Sequence, residues 1–147
     1  MSKFFFKLQP LLNVKQQMED NLKNELGKAL RQLEKEKAIL EVIKDEKNRH
    51  IREFNEKAGK GISVKTLRDY NVYISHLNDR ILLQKEKVKI ASDNVDKIRE
   101  ELLRIVKEKE MLEKLKEKKF QKFLEEQLKE EQKINDEIVS FKFASNT

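Results

Sequence analysis

The chain has 147 residues, 41% of them charged and 37% hydrophobic, with one Pro, three Gly and no Cys. Charged content far above the roughly 25% of an ordinary globular domain, with the apolar residues drawn into stripes along two long segments, leaves too little for a compact layered core and excludes most enzyme folds. The net charge is +6, yet Lys107 to Lys133 carries nine Lys and eight Glu, so no one-signed stripe stands ready to displace counterions from many phosphates, and no nucleic-acid partner is expected.

At the amino terminus, Met1 to Val14 contains Phe4, Phe5 and Phe6, interrupted by Lys7 and Pro10. That run is too short and broken for a signal peptide, and nothing approaches the ~20 apolar residues of a membrane span. A soluble, intracellular protein without direct membrane insertion is the expectation. Pro10 is tolerated in a first helical turn, which starts helix one near residue 10. Its stripe runs Leu8, Leu11, Lys15, Met18, Leu22, and then Leu26 follows after two successive steps of four. Such a stutter relaxes supercoil locally. In the new phase come Leu26, Ala29, Leu33, Glu36, Leu40, Ile43, Lys47, His50 and Phe54.

One break interrupts this periodicity, at residues 58–63. Gly59 or Gly61 can take the left-handed conformation that ends a helix. Ser63 is a suitable N-cap, with Ile62 and Leu67 placed for a hydrophobic staple. Helix one therefore covers about 10–57 and helix two about 64–141. From Leu67 the apolar series reads Tyr70, Ile74, Leu77, Ile81, Gln84, Val88, Ala91, Val95, Ile98, Leu102, Ile105, Lys109, Leu112. Only Gln84 and Lys109 break it. A 3.5-residue repeat stays on one face only when the helix supercoils around a partner, and a hinge this short makes the partner helix one, antiparallel. The fold class is all-α: a single coiled-coil hairpin over 1–147. Pairing outward from the turn sets Phe54 near Leu67, Ile43 near Leu77, Leu22 near Ile98 and Leu8 close to Leu112.

In that register helix one runs out opposite about residue 117, so some twenty residues of helix two overhang, about 30 Å of helix. The overhang carries Phe120, Phe123, Leu124, Leu128, Ile134, Ile138 and Phe141. An unpaired apolar stripe calls for another chain; alternatively Phe4 to Phe6 fold over residues 118–124.

Chemistry-bearing constellations are missing. His50 and His76 have no carboxylate and hydroxyl arranged around them in sequence, Gly59-Lys60-Gly61 follows no strand, and the absence of Cys removes thiol chemistry. The expectation is no enzyme, no metal and no cofactor. Tyr73 beside the seam has two readings: a cap over Phe54, or a contact patch with Leu77, Arg80 and Gln84.

The chain ends carry a resemblance. Phe4-Phe5-Phe6-Lys7-Leu8-Gln9-Pro10-Leu11-Leu12 resembles the Phe-x-Phe-x-Leu-x-x-Leu-Leu start of the flagellar export family FliJ. Glu131-Gln132-Lys133-Ile134-Asn135-Asp136-Glu137-Ile138 is similar to that family's end, and Asp69 to Leu77 resembles the start of its second helix. The resemblance implies an antiparallel coiled coil like the central stalk subunit of rotary ATPases, acting in the bacterial flagellar type III protein export apparatus. It would be cytoplasmic and peripherally associated with the inner face of the cell membrane at the flagellar base. The partners implied are the hexameric export ATPase (FliI-like), whose assembly and activity it promotes, the cytoplasmic domain of the export gate (FlhA-like), and export chaperones that it escorts. The family's gate-contact positions fall on Tyr73, Leu77, Arg80 and Gln84, with this sequence departing from the pattern at Arg80 and Gln84. The overhang from Phe120 to Phe141 would then meet the ATPase ring. Apart from the resemblance, a generic coiled-coil scaffold or holdase chaperone accounts for the same helices.

Overall fold

A computed structural model describes residues 2–145, and among these the chain forms two long helices packed against each other and no strand. α1 spans Gln9–Ala58 and α2 spans Val64–Ser145. Local chemistry sets the boundaries. The Leu12 amide donates to the Leu8 carbonyl at 2.9 Å, so Pro10 falls within the first turn, where no N–H is required. At the other end of α1 the amides of Gly59, Lys60 and Gly61 donate to Asn55, Lys57 and Ala58 at 3.2, 3.0 and 3.2 Å. Gly61 then takes φ +88°, a conformation in which any Cβ is strained. Ser63 caps α2: its Oγ accepts the Thr66 N–H at 3.1 Å, and its carbonyl accepts that of Leu67 at 3.1 Å.

The chain divides into two compact units, each drawing on both helices. The hinge unit, Asn21–Leu102, is held by two apolar clusters. One gathers Ala29, Leu33, Ala91, Val95 and Ile98, with Leu22 packed against it; the other gathers Leu40, Ile43, Leu77 and Ile81. Leu22 thus joins Ile98, and Ile43 joins Leu77, as antiparallel pairing from the turn requires. Near the turn, Phe54 stacks on Tyr70 with ring centroids 3.8 Å apart, while the expected partner Leu67 stays exposed. Two flat rings present more matching surface than a ring and a leucine.

The terminal unit, Met1–Asp20 with Leu103–Thr147, is organised differently. Phe6, Leu12 and Ile105 are buried, and polar side chains fill the turns beside them. Residues 2–6 lie outside any helix. Extended chain advances about 3.3 Å per residue against 1.5 Å in a helix, so this short segment reaches well past the end of α1. Phe4 meets Phe120 edge-on at 5.2 Å and Phe123 at 5.7 Å, and Gln127 Nε2 donates to Ser2 Oγ. The apolar overhang expected from about residue 118 therefore starts later. From Leu128 to Ser145 every residue is exposed.

Candidate interaction faces

The first face lies in the hinge unit and is built on Glu46. The Tyr73 hydroxyl donates to Glu46 Oε1, and Arg80 Nη1 stands 3.7 Å from Glu46 Oε2. The imidazole of His50 packs on the Tyr73 ring at 4.5 Å. The Tyr73 hydrogen bond is the main reason the Glu46 carboxyl is held below the usual carboxylate range, with Arg80, Arg49 and His50 adding to it and partial burial opposing. The same bond, foremost, pushes the Tyr73 phenol up. A neutral donor and a carboxylate acceptor are thereby kept in their matching states.

The four positions Tyr73, Leu77, Arg80 and Gln84 do not share one surface. Leu77 is 0% exposed, inside the apolar cluster with Ile43. Gln84 is also buried: its Nε2 donates to the Glu36 carbonyl at 2.9 Å and to Glu36 Oε2. Tyr73 is half-buried and Arg80 exposed. On this side Arg80 and part of Tyr73 are open to water, with Tyr73 packed against the cluster that holds Leu77, and Gln84 turned inward to Glu36. The ring stacked on Phe54 is that of Tyr70, and the ring against Tyr73 is that of His50. Glu46 carries no local signal of its own, although the hairpin register, with Phe54 opposite Tyr70, brings it to the turn facing Tyr73.

The second face is the far part of α2. Phe120 and Phe123 are half-buried under Phe4, whereas Leu124, Leu128, Ile134, Ile138 and Phe141 are exposed. Phe4 was the residue decisive for this division, and its place in a Phe-rich run just ahead of Pro10 was the available signal.

Polar residues in the seam of the terminal unit are matched across it. Lys109 Nζ lies 2.7 Å from Glu19 Oε2, and Lys15 Nζ lies 2.6 Å from Glu108 Oε2, which also receives Arg104 Nη1 on its other oxygen at 3.0 Å. The Lys15 hydrogen bond leads in holding Glu108 below the usual carboxylate range, and that from Glu19 leads in raising Lys109. His76 is exposed. Among the described residues no group of three or more His, Asp or Glu is arranged to hold a metal, and no helix is long and apolar enough to cross a membrane.

These features define a helical-hairpin protein that offers side-chain faces along its helices. The model of the flagellar FliJ protein family matches residues 4–147. The chain belongs to that family. No curated protein and no solved structure matches it.

Proposed function

We propose that this chain serves flagellar type III protein export as a cytoplasmic, non-catalytic coiled-coil stalk. It promotes assembly and activity of the hexameric export ATPase, couples it to the export gate, and escorts export chaperones. The observation that carries the reading is the family match across nearly the whole chain. The exposed apolar end of α2 from Leu128 onward supports it, because a helix projecting Ile134, Ile138 and Phe141 into water has surface to give to another protein. Binding that favours the assembled ring over free subunits stabilises the ring by linkage. At the gate, Arg80 and Tyr73 make the contact, with Leu77 in the cluster behind Tyr73 and Gln84 inside the seam.

The test is ATP hydrolysis by the cognate export ATPase with and without the chain. The full chain stimulates it and promotes hexamers. A chain ending at Gln127, which keeps Phe120 and Phe123 for Phe4, loses most of that stimulation; undiminished stimulation removes the end of α2 from the ring contact. No stimulation by the full chain shifts the reading to a scaffold or holdase. For the gate, Arg80→Ala with Tyr73→Ala weakens binding about tenfold by calorimetry. Unchanged affinity would remove this face.

A further inference from the structure

The terminal unit carries a groove and, on the same helix, a segment whose shape and charge suit it. The groove lies between residues 3–8 and the α2 face bearing Leu115, Lys119, Lys122 and Glu126. Phe4, Phe6 and Phe123 line its floor. Phe5 is 80% exposed and stands as a wall that the fold of its own chain leaves uncovered. Lys3, Lys7, Lys119 and Lys122 rim it, against the single carboxylate of Glu126.

Further along α2, Ile134, Ile138 and Phe141 follow at spacings of four and three and form one exposed stripe. By helical geometry Glu130 and Glu137 flank that stripe on one side and Glu131 on the other. From Lys129 to Lys142 the carboxylates are Glu130, Glu131, Asp136 and Glu137 and the cations are Lys129, Lys133 and Lys142, so the acidic character is confined to the three glutamates that border the stripe. An apolar stripe bordered by three glutamates therefore lies on the same helix as a basic-rimmed apolar groove. It cannot fill that groove within its own chain, because α2 is unbroken from Val64 to Ser145 and does not turn back.

We propose that the Ile134–Ile138–Phe141 stripe of one copy docks in the Lys3, Lys7, Lys119 and Lys122 groove of a second copy, and reciprocally, closing a two-fold dimer. With both elements on one helix, a two-fold pairing sets the two α2 segments antiparallel, each groove opposite the other copy's stripe. The apolar stripe covers the Phe floor under Phe5, while each basic rim lies beside the partner's carboxylates and fixes the direction of pairing. This association needs none of the export partners, and it occupies the same Ile134–Ile138–Phe141 stripe that the stalk reading gives to the ATPase ring, so the two are alternative uses of one surface.

The full chain is followed by sedimentation equilibrium over about 1 to 200 µM. Its mass rises from 17.6 kDa toward twice that value. Lys119→Glu with Lys122→Glu makes groove and stripe both acidic; Glu130→Lys with Glu137→Lys makes both basic. Each double variant weakens its own dimer about tenfold or more, and an equimolar mixture of the two regains association, since each groove then finds an opposite stripe. All four side chains are exposed, so helicity by circular dichroism stays at the parent level. A monomer at every concentration overturns the proposal. So does a dimer that neither reversal weakens, or a mixture whose components stay apart. An export ATPase that ignores the chain changes none of these outcomes.

Discussion

The hinge unit and the terminal unit use the same two helices and hold them together by different means. In the hinge unit, apolar clusters either side of Gln84 contain Leu77 and Val95, which are almost fully removed from water. In the terminal unit Ile105 is enclosed to the same degree, but its neighbours along the seam are the pairs Lys15–Glu108 and Glu19–Lys109 and the aromatic clasp of Phe4 on Phe120. Apolar burial contributes about 25 cal/mol per Å², whereas an exposed ion pair contributes little net stability and a largely buried one gives back most of its attraction as desolvation. Cohesion is therefore strongest where the seam is dry, and beyond the clasp, from Leu128 onward, α2 is exposed on every side.

The larger effect separating the two regions should come from the one buried amide of the hinge unit. Gln84 is a polar residue at a seam position between apolar clusters, donating to Glu36. Gln84→Leu removes both donors and lowers the unfolding free energy by about 1–2 kcal/mol, read from urea denaturation. Adding Glu36→Leu recovers that loss and exceeds the parent by about 1 kcal/mol, since a dry seam replaces a polar one. The cost falls on register: a continuous apolar seam tolerates slipped pairings, visible as faster amide exchange around residues 36 and 84. A single variant as stable as the parent would mean that Glu36 turns to water at no cost and that Gln84 sets nothing.

Much of this was legible before any coordinates. The 3.5-residue spacing, the glycines after Lys57 and the Ser63 cap are local signals, and each acts within a few residues of where it is written. The pairs Ile43 with Leu77 and Leu22 with Ile98 followed from them, because a short turn leaves antiparallel register little freedom. What stayed hidden depended on side chains far apart in sequence. Gln84 and Lys109 read as breaks in one stripe, and Glu36 and Lys15 stand within the other; only the folded register shows Gln84 matched to Glu36, Lys15 to Glu108 and Lys109 to Glu19. The extended run of Phe4 to Phe6 has no periodicity to read, so its reach to Phe123 could be entertained but not fixed. Of the positions proposed for the gate, resemblance supplied the numbers, while burial of Leu77 and Gln84 came from the structure.

The smaller effect concerns the wet seam of the terminal unit and is a matter of pH. Glu108, held low by Lys15 and Arg104, contributes stability at pH above the ordinary carboxylate pKa of about 4.3 and loses it as pH falls through its depressed folded value. Lys109, held high by Glu19, does the reverse: its contribution is present below about 10.4 and is lost as pH rises through the raised folded value. At neutral pH both pairs are intact, and acid and alkali remove them from opposite partners. Glu108→Gln keeps the shape and deletes the titration, so its thermal midpoint falls less than the parent's between about pH 5 and pH 3. The gap is smaller than the effect of Gln84→Leu, because Glu108 is about a third exposed and salt screens it. It shrinks further when ionic strength is raised. Parent and variant losing stability in parallel would show that the acid response of this chain is set elsewhere, with the Tyr73–Glu46 pair of the hinge unit, whose carboxyl is also held low, as the next group to neutralise.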